Sequence, residues 1–337
     1  MGFSEDVEPG SILFLSDDDV ATLSAWAPAI QAIRSAYSMP EDDKRMPGRI
    51  FAHSEKEWLR IMPAIPESGR LFGYKSIAGS FRENLHVSYL ISLFDKETAG
   101  LVALLDGNRV TGLRTAATTA VGVESITSDL TMKMGIIGSG FEAQSHLEAI
   151  ATQTNIGAVN VYSPTPANRE LFAAKFNGKI GSSISAVGSA EEAASGADLL
   201  LCAARSADES PTVQADWVSP TAAVISIGST TPAQRELPIE LIDRASVIVV
   251  DSYEEVVHGS GDLLEAQKAG IDVASKIIPL SDAVRGLVDL ASIDGIRIYK
   301  STGTGLQDIV VAEMLFNEAT AAGLGTTLPT GIVTSKK

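Results

Sequence analysis

The chain has 337 residues, of which 45% are hydrophobic and 20% charged, and its formal net charge is −16 at pH 7. That length and apolar fraction suit a globular protein with a large core and room for two domains. A chain this acidic, with no basic cluster, is a poor partner for nucleic acid or an anionic membrane, and a single cysteine, Cys202, excludes an internal disulfide and a cysteine-ligated zinc site.

The amino-terminal Met1-Gly2-Phe3-Ser4-Glu5-Asp6 lacks the basic and apolar regions of a signal peptide. It also carries Asp6 where a myristoylation signal needs Ser or Thr, so a cytoplasmic location is expected. Residues 12–15 form an expected strand, and Ser16-Asp17-Asp18-Asp19 offers N-caps for a helical pattern running through Trp26, Ile30, Ile33 and Tyr37. Strands follow at 49–51, 57–62, 72–77, 88–94 and 100–105, separated by turn signals such as Pro66-Glu67-Ser68-Gly69. An Ala- and Thr-rich helix is then expected over 111–125.

From Met132 the rhythm changes to strand–helix alternation, with strands expected at 133–137, 158–162, 185–187, 199–202, 223–227 and 247–251. Such alternation predicts a Rossmann-type α/β fold with a doubly wound parallel sheet. Cys202 lies in one of these apolar runs and reads as a buried thiol. A helical segment at 263–269, a last strand at 297–300 and a final helix over 305–322 complete the ordered chain, with Ser335-Lys336-Lys337 expected to fray.

The stretch Gly138-Ser139-Gly140-Phe141-Glu142-Ala143 follows an apolar strand and opens a helix. It fits the dinucleotide pattern in which one glycine turns the chain, a second admits the pyrophosphate and a small third residue lets helix pack on strand. The helix N-terminus then offers free N–H groups to phosphate. An NAD-specific site places an acidic residue about 20 positions on, at the end of the second strand. Here that strand end reads Ser163-Pro164-Thr165, with Arg169 one helical turn further. Hydroxyls and a guanidinium favour a 2′-phosphate, so NADP(H) is the expected cofactor, with NAD(H) the alternative.

Several segments in a fixed order carry a resemblance: Pro47-Gly48-Arg49, Met62-Pro63-Ala64, Gly73-Tyr74-Lys75, Thr111-Gly112-Leu113-Arg114, the Gly138 turn, Ile227-Gly228-Ser229, Arg235-Glu236-Leu237, Gly261-Asp262, and Ser301-Thr302-Gly303-Thr304 with Gln307-Asp308. In these the chain resembles the ornithine cyclodeaminase/μ-crystallin family from about residue 20 to 322. The resemblance implies a substrate-binding and dimerisation domain at 1–119 plus 304–337, an α+β unit into which a dinucleotide domain at 120–303 is inserted. It also implies a homodimer built through the β-rich region, and cofactor contacts that include Gly228, Ser229 and Gly303.

By the same resemblance, Arg49, Lys75 and Arg114 grip the carboxylate of a small anionic imino or amino acid, as forked guanidinium groups do well. Arg114 stands in a helix with few other charges, where a cation seeks an anion. Lys75 and Asp308 are the expected catalytic residues, with Lys75 a proton donor or charge stabiliser beside a C=N carbon. Asp308 also suits plain stabilisation of a helix start. Thr230 stands where cyclodeaminases carry an aspartate, and a threonine cannot serve as a carboxylate base. The expected activity is therefore NAD(P)H-dependent reduction of an imino acid, or its reverse. The alternatives are an ornithine cyclodeaminase with bound NAD and a non-catalytic NADPH-binding protein. His53, His86 and His146 share no metal-ligand spacing, so no metal site is expected, and His258 is left between a site role and a solvated one.

Overall fold

A computed structural model describes residues 11–81, 84–127, 131–181, 183–329 and 334. The acidic amino terminus and the terminal Ser335-Lys336-Lys337, whose properties were inferred from sequence, lie outside the described residues. The chain divides into two compact units, one of Met1–Thr115 and Thr304–Lys337, the other of Ala116–Gly303.

In the first unit, β1 (Ser11–Leu15) leads to α1 (Asp17–Leu23) and α2 (Trp26–Tyr37). Ser16 starts α1 as a capping box, its hydroxyl accepting from Asp19 N–H while the Asp19 carboxylate accepts from Ser16 N–H. The single helical pattern read from sequence is two helices, because Pro28 has no N–H to give. Ser24 and Ala25 turn extended. The proline then falls in the first turn of α2, where a missing donor costs nothing.

Five strands follow: β2 (Ile50–His53), β3 (Glu57–Ala64), β4 (Leu71–Phe81), β5 (Leu85–Asp95) and β6 (Leu101–Asp106). The next helix, α3 (Gly107–Ile126), begins four residues before the expected Thr111. Asp106 caps it by accepting from Asn108 N–H, so what reads as a turn is a helix start.

The second unit is built on β7 (Met132–Ile137), α4 (Phe141–Ala151), β8 (Ile156–Tyr162), α5 (Pro166–Phe176), β9 (Ser183–Ala186), α6 (Ala190–Ala194), β10 (Leu199–Cys202), β11 (Ala223–Ser226), α7 (Ile239–Arg244), β12 (Ala245–Val250), α8 (Tyr253–Gly259), α9 (Gly261–Lys268), β13 (Ile277–Pro279), α10 (Leu280–Val284) and β14 (Ile296–Lys300). Its eight strands pair in parallel in the order β13-β12-β14-β11-β10-β7-β8-β9. β10 and β11 are buried at every position, as strands covered on both faces must be. The order reverses between β7 and β10, the switch point at which open α/β sheets bind ligands. Strand β13 has no counterpart among the expected strands. Three residues ending in proline give too short a pattern to read.

The chain closes with α11 (Gly305–Ala322) and β15 (Thr326–Pro329). That last strand corrects the expectation that the ordered chain ends with the helix. Gly323 ends α11 in the left-handed region, and β15 pairs antiparallel with β1. The first unit's sheet thus runs β15-β1-β6-β5-β4-β3-β2. Strand register puts Met62, Lys75, Ile91 and Leu105 in one row across β3 to β6. All four are buried on a face against which α11 packs. Ile309, Val311 and Leu315 are fully buried on α11, each contributing roughly 1.5–3 kcal/mol by leaving water. Among the described residues, no helix is long and apolar enough to cross a membrane.

Candidate active site

Two constellations stand out, one in each unit. In the first unit, Gly305 brings the start of α11 against β3. A Cβ there would meet the carbonyl oxygens of Pro63 and Met62 at 2.6 and 2.7 Å, so only glycine allows this approach. The first turn of α11 then delivers Gln307 and Asp308 to the buried sheet face.

Lys75 Nζ lies 2.8 Å from Asp308 Oδ1 and 2.7 Å from Oδ2, and donates to Thr111 Oγ1 at 3.3 Å. Arg114 Nε donates to Asp308 Oδ1 at 3.0 Å, and its Nη1 donates to Gln307 Oε1 at 2.7 Å. Gln307 in turn donates to the Tyr37 hydroxyl at 2.9 Å. Lys75, Asp308 and Gln307 are wholly buried, and Arg114 and Tyr37 nearly so.

One carboxylate therefore faces two cations away from water, and a third, Arg49, acts on Lys75 from nearby. Burial draws the Lys75 ammonium down to about 7, against the pull of Asp308, with Arg114 and Arg49 adding repulsion. An excess of positive charge in a dry site is costly, and an anionic ligand relieves it. So Lys75 and Arg114 both contact Asp308, and Arg49 is near enough to act on Lys75.

In the second unit, Gly138 sits at φ +116° where the chain leaves β7, and a Cβ there would meet the Ala203 carbonyl oxygen at 2.5 Å. Gly140 is different. A Cβ there would meet no protein atom within 4 Å, so the position is open to something outside the chain. Gly140 caps α4 without a side-chain hydrogen bond, leaving the first N–H groups available, and Ala143 is fully buried. These residues fit a pyrophosphate. Ser139 Oγ donates to Ser163 Oγ at 2.9 Å, tying the turn to the end of β8. Arg169 donates to the Ser163 carbonyl at 2.8 Å and lies over the Tyr162 ring, with Thr165 capping α5 between them.

Two more loops at the carboxyl ends of the strands are held by polar side chains. Asp251 accepts from Ser301 Oγ, Thr302 N–H and Gly303 N–H at 2.7, 3.1 and 2.8 Å. Gly228 N–H donates to Glu236, Ser229 Oγ to the Gln234 carbonyl, and Thr230 to Gln234 Oε1. Phe141 and Glu142 open α4, with the Phe141 ring exposed. His258 is an exposed residue of α8, 3.6 Å from Glu254 one turn back, in the geometry of a solvated helix pair. Cys202 is buried, and burial pushes its thiol well above the usual range, as suits an inert packing residue.

Sequence reasoning gave no role to Tyr37, Asp251 or Lys300, and it reached Glu236 and Asp262 only as parts of two resemblance segments. Tyr37 fits the apolar stripe of α2, which hides its hydroxyl. The acids and the lysine sit at strand and helix ends, where charge is ordinary, and only the fold makes them neighbours.

A doubly wound sheet with a glycine turn at its switch point defines a dinucleotide-binding α/β protein, here joined to a unit with a buried cationic cluster. The Ornithine cyclodeaminase/mu-crystallin family model matches residues 12–323, and the chain belongs to that family. It is 30% identical to an alanine dehydrogenase of Archaeoglobus fulgidus over 93% of this chain and 97% of the relative. It is 29% identical to the ketimine reductase mu-crystallin of Rattus norvegicus over 90% and 96% of the two chains. The solved structure of Thermococcus litoralis Δ1-pyrroline-2-carboxylate reductase, in complex with NADH and L-proline, superposes with a TM-score of 0.83 at 27% identity, covering 94% of this chain and 100% of that one.

Proposed function

We propose that this protein is an NAD(P)H-dependent oxidoreductase that reduces a small α-imino acid to the amino acid, or runs the reverse dehydrogenation. The observation that carries this reading is the buried Lys75–Asp308–Arg114 cluster with its excess positive charge. Arg114 and Arg49 hold the substrate carboxylate, and Asp308 keeps Lys75 aimed. Lys75, whose proton is loosely held near pH 7, donates it to the imine nitrogen as hydride reaches the carbon. The nicotinamide, when bound, supplies that hydride, with the Gly138–Gly140 turn, Phe141, Glu142, Ala143 and the loops at Gly228, Ser229 and Gly303 orienting it. Thr230 contributes a hydroxyl and no carboxylate, which disfavours the loss of ammonia that cyclodeamination requires.

The test is oxidation of NADPH and NADH against 2-oxo acids with ammonia or methylamine, and against cyclic imines. Turnover with at least one class is expected. Cofactor binding without turnover across the panel overturns the reading, as does ammonia release from ornithine with no net change in cofactor absorbance.

Ser163, Thr165 and Arg169 support a preference for NADPH, since Arg169 is already fixed at the strand end where a 2′-phosphate would lie. Arg169→Ala should raise KM for NADPH about tenfold while changing that for NADH little, the loss of one charged hydrogen bond. Equal efficiency of the two cofactors in the parent protein defeats the preference.

Self-association rests on the other face of the first unit's sheet. There Ile50, Ile61 and Leu90 share one row through Ser76, and Leu59 lies in the next. Ile50 is 61% exposed and Leu59 and Leu90 39% each, an apolar surface of the kind that pairs with a second copy.

A further inference from the structure

The end of β11 is held by a group of side chains that the proposed chemistry does not use. Ser226, Glu236, Asp262 and Lys300 are all completely buried. Glu236 Oε2 accepts from Ser226 Oγ at 2.6 Å and from Gly228 N–H at 2.9 Å. Lys300 Nζ donates to Ser226 Oγ at 2.8 Å and lies 3.3 Å from Asp262 Oδ2. Asp262 Oδ1 accepts from the backbone N–H groups of Glu236 and Leu237 at 2.8 and 3.0 Å. Two acids thus share one buried lysine, and Asp262, from the first turn of α9, fixes the backbone that carries Glu236.

Burying three ionisable groups to hold the backbone N–H groups of Gly228, Glu236 and Leu237 is weak support for stability, because desolvation offsets most of the gain. The contact is also tight, since a Cβ at Gly228 would lie 2.6 Å from Glu236 Oε1. A side chain at 228 would therefore push the Glu236 carboxylate from its place. The returning segment closes the loop further, with Gln234 taking the Ser229 hydroxyl, the Thr230 hydroxyl and the Thr230 N–H. The Gly228–Thr230 backbone has its position dictated from beneath, at the sheet edge where the dinucleotide turn also lies.

We infer that Glu236 is a positioning residue for cofactor binding: oriented by Asp262, Lys300 and Ser226, it clamps Gly228 N–H and sets the Gly228–Thr230 loop in place to receive the nicotinamide dinucleotide. This rests on the proposed function, which places that loop against the cofactor. The clamp is a matter of shape more than of charge. Burial pushes the Glu236 carboxyl up to about 7, against the opposing effect of Lys300 and the Ser226 hydrogen bond, so near neutrality the group is not fully ionised. A neutral side chain of the same length should therefore serve.

Two conservative variants separate geometry from charge. Glu236→Gln keeps the reach and an acceptor oxygen. Glu236→Asp keeps the charge but withdraws it by one methylene. The dissociation constants of NADPH and NADH are measured by nicotinamide fluorescence on both variants and on the parent protein. Glu236→Gln should bind within about threefold of the parent and Glu236→Asp about tenfold more weakly, as expected for loss of one hydrogen bond. If Glu236→Asp binds as well as Glu236→Gln or better, the positioning role is wrong and the proposed function stands. A parent protein that binds neither cofactor overturns both.

Discussion

Lys75 holds a proton whose affinity is set by competition. Burial and two neighbouring guanidinium groups favour the neutral amine, Asp308 favours the ammonium, and the balance falls at about 7. A proton donor must be protonated, so imine reduction should decline as pH rises through about 7, and amino-acid oxidation should rise over the same interval. Replacing Lys75 by Met should remove that limb from the pH–rate profile, and a profile unchanged in Lys75→Met would end the assignment. Arg114 makes a different kind of contribution. Its guanidinium is held in a fixed plane by Asp308 and Gln307, which orients it for a substrate carboxylate. Arg114→Ala should raise the substrate KM by roughly thirtyfold, equivalent to about 2 kcal/mol for lost charged hydrogen bonds. An unchanged KM with every active substrate would defeat the role.

At the scale of elements, the glycine turn after β7 assigns separate tasks to its two glycines. Gly138 is required by the fold, because its φ of +116° and the Ala203 carbonyl leave no room for a side chain. Gly140 meets nothing in the protein and is left small for whatever approaches from outside. Gly138→Ala should therefore destabilise the protein by about 1–3 kcal/mol, visible as a lower melting temperature without cofactor. Gly140→Ala should leave that melting temperature within a degree or so while weakening dinucleotide binding at least about tenfold, because its methyl group displaces phosphate and costs the protein nothing. Equal thermal effects in the two variants would contradict this division. The start of α11 shows the same economy, with Gly305 allowing the helix to touch β3 so that Asp308 reaches Lys75.

For the whole molecule, the sheet of the first unit has one face covered by α11 and another bearing exposed Ile50, Leu59 and Leu90. Sedimentation should find a dimer for the parent chain, and Leu59→Lys should shift it toward monomer, because a buried, unpaired ammonium opposes association. A monomeric parent chain would end that reading. The net charge of −16 sets the background, so the cationic cluster at Lys75 stands out as an attractive spot for a small anion on an otherwise repelling molecule.

Much of this was legible in the residues themselves. Strand–helix alternation after Met132, the Gly138 turn and the ordered segments from Arg49 to Asp308 determined the fold class and the family, because periodicity and turn chemistry act over a few neighbouring residues. The break at Pro28, the strand β13 and the closing strand β15 escaped, since a missing N–H, a three-residue strand and a distant pairing partner leave little local pattern. Only tertiary structure decided that Asp308 serves two cations at once, that Tyr37 stands behind Gln307, and that Glu236, Asp262 and Lys300 share one buried site. Contacts of that kind join positions tens to hundreds of residues apart, and their energies come from burial and charge, which no single stretch of sequence contains.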